Sequence, residues 1–127
     1  MSVRKSVVER YIEGFRAGDH EMILSCLTDD VTWDMPPYFN VSGKGAFENE
    51  IENDAAPGLP DIRLTRLVEE GDIVVAEGEV QAALKAGGRI DALFCDVFHF
   101  QDDKICRLVT YQVDRHPGDV TRRAFGA

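Results

Sequence analysis

Three residues with acid–base or hydrogen-bonding chemistry stand inside apolar patterns of this 127-residue chain. Asp96 lies in "LFCDVFHF", where Phe94, Phe98 and Phe100 share its side of a strand-like alternation. A carboxyl buried in such a row loses its water, and that favours its neutral form. A neutral carboxylic acid is a hydrogen-bond donor. Tyr11 shares a helical stripe with Val7, Val8 and Phe15, and a buried tyrosine hydroxyl needs a partner. If the two converge, they aim two donors at one ligand oxygen, each worth about 3–4 kcal/mol to a transition state in a dry site. Asp34 interrupts "VTWDMPPYF". Strict alternation points Val31, Trp33 and Met35 one way and Thr32 and Asp34 the other. Each residue also has a plainer role open to it: Asp96 in solvent or on a backbone group, Tyr11 satisfied in a packed core, Asp34 as a surface acid.

Around these, Phe15, Trp33, Met35, Phe94, Phe98 and Leu108 are candidate apolar lining. Thr110 and Gln112 share a phase with Leu108 and are candidate polar lining, with core or turn support equally open. Glu77 and Glu79 occupy one face of a strand whose other face carries Val74, Ala76, Val80 and Ala82, so they are expected in solvent. His20, His99 and His116 are scattered without metal-ligand spacing. "SGKG" lacks the glycine of a phosphate loop five residues before Gly43, where Tyr38 stands. Cys26, Cys95 and Cys106 form neither a disulfide framework nor a zinc pattern, and none has a nucleophile's histidine context. No metal and no cofactor is implied.

These side chains need elements to carry them. Val3, Val7, Val8, Tyr11, Ile12 and Phe15 mark one face of a first helix, capped by Ser2 and ended by Gly18. Asp19 caps a shorter second helix, "HEMILSCL", with Ile23, Leu24 and Leu27 inward. A strand through Trp33 follows, then a loop through Pro36 and Pro37. "SGKGAFENEIENDAA" reads as a third helix closed by Pro57 and Pro60. From Asp61 onward four strand-like runs are separated by Glu-Gly-Asp, Gly-Gly and Asp-Asp-Lys turns. The expected architecture is a single α+β domain over residues 1–127, a cone-shaped, strongly curved antiparallel sheet wrapped over three N-terminal helices. The tail from about residue 115 has no period and is expected to be loose or to cover an opening. Net charge −9 argues against nucleic acid and anionic membranes as partners. No signal peptide or membrane span is visible, and a cytoplasmic setting is expected.

"VVERYIEGFRAGD", "LTDDVTW", "SGKGAF" and "DVFHFQDDKICRL", in this order and spacing, resemble the nuclear transport factor 2-like superfamily, whose cystatin-like fold includes SnoaL-like, polyketide cyclase-like and ketosteroid isomerase-like proteins. The resemblance runs from about Val3 to Asp114. It implies that Tyr11 and Asp96 stand where ketosteroid isomerases hold their oxyanion donors. Their aspartate base position falls on Met35, with Asp34 one residue early, so Asp34 serves only if a bulge or the double proline turns it inward. The Asp-Arg-Asp set of the superfamily's epoxide hydrolases would fall near Thr110 and Glu77-x-Glu79, which lacks the arginine. The resemblance also implies a homodimer paired through the open sheet face.

The expected function is binding of a small, mostly apolar, cyclic or carbonyl-bearing organic molecule in an internal pocket. Catalysis there would be cofactor-free general acid–base isomerisation, dehydration or cyclisation, with Tyr11, Asp96 and Asp34 as the catalytic candidates. The competing expectation is a non-catalytic ligand-binding or association domain of the same fold.

Overall fold

A computed structural model describes residues 2–52 and 56–115. The anticipated loose tail and His116 fall outside the described residues. Helix α1 spans Val3–Ala17. The Ser2 hydroxyl accepts the Lys5 N–H at 3.0 Å, and Gly18 ends the helix at φ 66°, a left-handed conformation that costs glycine nothing. Helix α2 is only His20–Leu24, capped by the Asp19 carboxylate on the Met22 N–H. It is shorter than its apolar pattern because Leu27 already belongs to strand β1, Leu27–Met35. The Ile105 N–H draws the Cys26 carbonyl into the sheet at 2.9 Å. Gly14 lets α1 and α2 meet, since a Cβ there would lie 2.6 Å from Ile23 Cγ1.

The double proline does not lead into a long loop. Tyr38 N–H bonds to the Met35 carbonyl at 2.7 Å, and the chain returns as strand β2, Phe39–Ser42. Helix α3 covers only Lys44–Asn49, less than the run to Ala56 expected from sequence. Gly45 and Asn49 are weak helix formers, and Gly43 supplies no side-chain cap. Strands β3 (Asp61–Glu70), β4 (Ile73–Ala83), β5 (Arg89–Gln101) and β6 (Lys104–Asp114) then fall where the four runs predict them.

Among the described residues the sheet has six strands, in the order β2-β1-β6-β5-β4-β3. All neighbours are antiparallel except β1 and β6, which run parallel. The fully antiparallel expectation is corrected there, because α1, α2 and β1 precede the meander and bring β1 in alongside its last strand. The result is the anticipated α+β cone, a curved sheet with its helices on the concave side. Val8, Ile23, Val31, Phe47, Phe98 and Leu108 are fully buried between helices and sheet. Trp33 stacks on Phe47 at 4.5 Å, and Tyr11 meets Phe98 edge-on at 5.2 Å. This packed zone fills one end of the cone and leaves the other end hollow.

Candidate functional site

The hollow is a cavity of about 920 Å³. Tyr11, Ile12 and Phe15 of α1 line it, with Trp33 and Met35 from the end of β1. Val80, Ala82, Ile90 and Phe94 supply sheet walls, and Asp96, Thr110 and Gln112 supply polar atoms. Residues 56–60 and Ile62 close another side. Lys85, Glu52 and Leu59 are exposed at its edge.

Each polar group owes its place to strand register. Asp96 pairs with Ala76 on β4 and with Thr110 on β6, so all three share the concave face. Phe94, Asp96, Phe98 and Phe100 alternate inward and are all buried. Among the described residues, Asp96, at 7% exposure, is one of two buried polar residues; Thr110 is the other. Burial pushes the Asp96 carboxyl up to about 7, with the Thr110 hydrogen bond pulling it down. The Thr110 hydroxyl donates to Asp96 Oδ1 at 2.7 Å. Trp33 Nε1–H in turn donates to Thr110 Oγ1 at 3.0 Å. Tyr11 is 2% exposed. Burial raises its hydroxyl well above the ordinary tyrosine value, helped by the charge of Asp96 and then of Cys26, so it stays a neutral donor. Among the described residues the Tyr11 hydroxyl and Asp96 Oδ2 have no hydrogen-bond partner.

Among the expected residues, Tyr11, Phe15, Trp33, Met35, Phe94, Asp96, Thr110 and Gln112 all reach the cavity wall. Phe98 and Leu108 do not; both are wholly buried in the packed zone, one inward position further along β5 and β6. Asp34 is also absent from the wall. It pairs with Val109 on β6 and Asn40 on β2, in the register that faces away from Trp33 and Met35. A register shift does occur in β1, but between Leu27 and Thr32. Alternation is regular again before Asp34, so nothing turns it inward. Glu77 and Glu79 lie on the outer face beside Arg66 and Arg63, at 3.4 and 3.7 Å. His20 is held between Glu48 (2.9 Å) and Glu52 (2.7 Å).

The walls from Ile12, residues 56–60, Lys85 and Ile90 went unread in the sequence. For Val80 and Ala82 the signal exists, since they alternate opposite Glu77 and Glu79. Residues 56–60 give none, because a proline-bounded segment reads only as a helix stop. One wall depends on an absent atom: a Cβ on Gly78 would lie 2.4 Å from the Arg63 carbonyl oxygen and 2.7 Å from Phe94 Cζ. The Phe94 ring lies against β4 because that position is bare.

The SnoaL-like domain model matches residues 8–108. No curated protein matches the chain. Among solved structures, TerC co-crystallised with polyporic acid is similar at TM-score 0.80 and 21% identity, covering 98% of this chain and 96% of that one. A nuclear transport factor 2-like protein of unknown function from Burkholderia pseudomallei aligns at TM-score 0.79 and 19% identity, covering 87% and 90% of the two chains. An epoxide hydrolase from M. tuberculosis aligns at TM-score 0.73 and 16% identity, covering 85% and 80%. With about four-fifths of its length matched by one family model, the chain belongs to the SnoaL-like domain family, and its fold is that of nuclear transport factor 2-like proteins.

Proposed function

We propose that the cavity binds a small, mostly apolar, cyclic or carbonyl-bearing organic molecule, with Tyr11 and Asp96 donating hydrogen bonds to one of its oxygens. The observation that carries this is Asp96: a buried acid in an apolar cavity, with only one oxygen engaged by the protein. The cavity volume lies in the ordinary range for small-molecule sites, about 300–1,000 Å³. The similar TerC structure, which contains polyporic acid, supports a small-molecule occupant. Chemistry in the site is general acid catalysis without a cofactor, with Asp96 protonating or polarising the ligand oxygen during isomerisation, dehydration or cyclisation. The epoxide-hydrolase neighbour is not followed, because Glu77 and Glu79 lie on the opposite face of the sheet.

A second reading, ligand binding without turnover, is favoured by one observation. Asp34 faces away from the cavity and the base position holds Met35. Two further parts of the proposal concern the whole chain. Two copies pair through the outer sheet face, supported by exposed Leu93, Tyr111 and Val113. The working compartment is the cytoplasm, supported by three free thiols, and among the described residues no helix is long and apolar enough to cross a membrane.

The test is equilibrium binding of a panel of phenols and cyclic ketones to the wild type and to the Tyr11→Phe, Asp96→Leu double variant. Two lost hydrogen bonds of about 1.5 kcal/mol each weaken binding by roughly 100-fold. Unchanged affinity removes Tyr11 and Asp96 as the oxygen donors from either reading. Solvent deuterium appearing at the α-carbon of a bound ketone marks catalysis; tight binding without exchange marks the second reading.

A further inference from the structure

The Trp33–Thr110–Asp96 chain runs in one direction, from indole to hydroxyl to carboxyl. An indole nitrogen only donates. Trp33 Nε1, 3.0 Å from Thr110 Oγ1, therefore makes that hydroxyl an acceptor. The hydroxyl carries a single hydrogen, and Asp96 Oδ1 at 2.7 Å receives it. Oδ1 is thus committed as an acceptor, and a proton on it would meet the hydrogen that Thr110 already points there. All three groups are buried, so water is a poor substitute partner at any link.

We propose that Trp33 and Thr110 are positioning residues for Asp96: the donor-only indole turns the Thr110 hydroxyl onto Oδ1 and leaves Oδ2 as the single oxygen that carries the acid proton to the ligand. The proposal rests on Asp96 meeting the ligand, as argued above. It deepens that reading in two ways. Thr110, though on the cavity wall, has no hydrogen left for a ligand, so it can only accept one. Asp96 then offers one donor of fixed orientation, which selects ligands presenting an acceptor oxygen there, a carbonyl or phenolate, over ligands presenting an N–H or O–H.

The experiment follows the Asp96 carboxyl carbon by NMR across pH in the ligand-free protein, comparing wild type, Thr110→Val, Thr110→Ser and Trp33→Phe. Removing the donor to the charged form raises the Asp96 midpoint by about one pH unit in Thr110→Val. Thr110→Ser restores the wild-type midpoint. Trp33→Phe, which keeps the aromatic stack but removes the N–H, gives a smaller rise and keeps the proposal testable if Thr110→Val does not fold. An unmoved midpoint in Thr110→Val, or in Trp33→Phe should that variant alone fold, overturns it. Addition of 4-nitrophenol then separates this proposal from the functional one. A shifted Asp96 midpoint in Thr110→Val, with no response of Asp96 to any ligand of the panel, keeps the positioning role and discards the ligand-binding reading.

Discussion

Asp96 places an acid where its charged form is poorly solvated, and this has a thermodynamic sign. Its carboxyl is raised from 3.8 to about 7 in the folded chain. Between these values the native state holds a proton that the unfolded state has lost, so stability falls as pH rises through that window and levels off above about 7. The full difference is on the order of 4 kcal/mol. Asp96→Asn, neutral at every pH, is therefore expected to match the wild type near pH 3.8 and to exceed it by up to that amount at pH 8. Urea unfolding of both proteins at the two pH values measures this, and an equal loss in both would show that Asp96 is not the cause. The inward direction of Asp96 was legible from its phenylalanine row. Its partnership with Thr110 was not, because that depends on how β5 registers against β6 across a turn. Asp34 shows the reverse: plain alternation faced it away from Trp33, and the strand does so.

At the scale of elements, α2 and α3 are clasped by His20. Each ring nitrogen contacts a carboxylate, Nδ1 with Glu48 and Nε2 with Glu52. Carboxylates accept and do not donate, so both bonds exist together only on the doubly protonated ring. The Glu48 and Glu52 hydrogen bonds accordingly raise His20 above its ordinary 6.5. The stabilisation is complete below that ordinary value and is lost as pH rises through the raised one. In an Asp96→Asn background, which removes the competing titration, amides of α3 should show lower protection factors (rates taken relative to intrinsic base-catalysed exchange) at pH 8.5 than at pH 6, and His20→Gln should abolish the difference. A pH dependence that survives His20→Gln would place its origin elsewhere. Helix caps and the four long strands were legible because Ser2, Asp19, Gly18 and the turn residues act locally. The four residues of β2 were not, since they are strand only through pairing with β1. The parallel contact of β1 with β6 joins segments too distant in sequence for any local pattern to reveal.

The whole molecule uses the two faces of its sheet differently. The concave face carries core and cavity. On the convex face Leu93 lies opposite Val113 and Cys95 opposite Tyr111, with Leu93, Tyr111 and Val113 roughly half exposed or more. The three lie together on one sheet face of a chain of net charge −9, the kind of exposed apolar grouping that marks a contact surface. The proposed pairing predicts a mass of two chains by sedimentation equilibrium, and Val113→Asp should shift it to one; a wild type that stays single at tens of micromolar counts against it. Composition and hydropathy could announce a domain with a core, but not that the core stops short of one end. That follows from the taper of the cone, where Phe98 and Leu108 are enclosed and Asp96 and Thr110, one step on, are left to line a void. The bareness of Gly78 bears on this void. Any larger residue there would drive an aromatic ring across the space a guest must enter, or force two strands apart. The largest guest the proposed function allows is therefore governed in part by a position outside the wall, and a change of one methyl group behind it would reshape the void without replacing a single side chain that lines it.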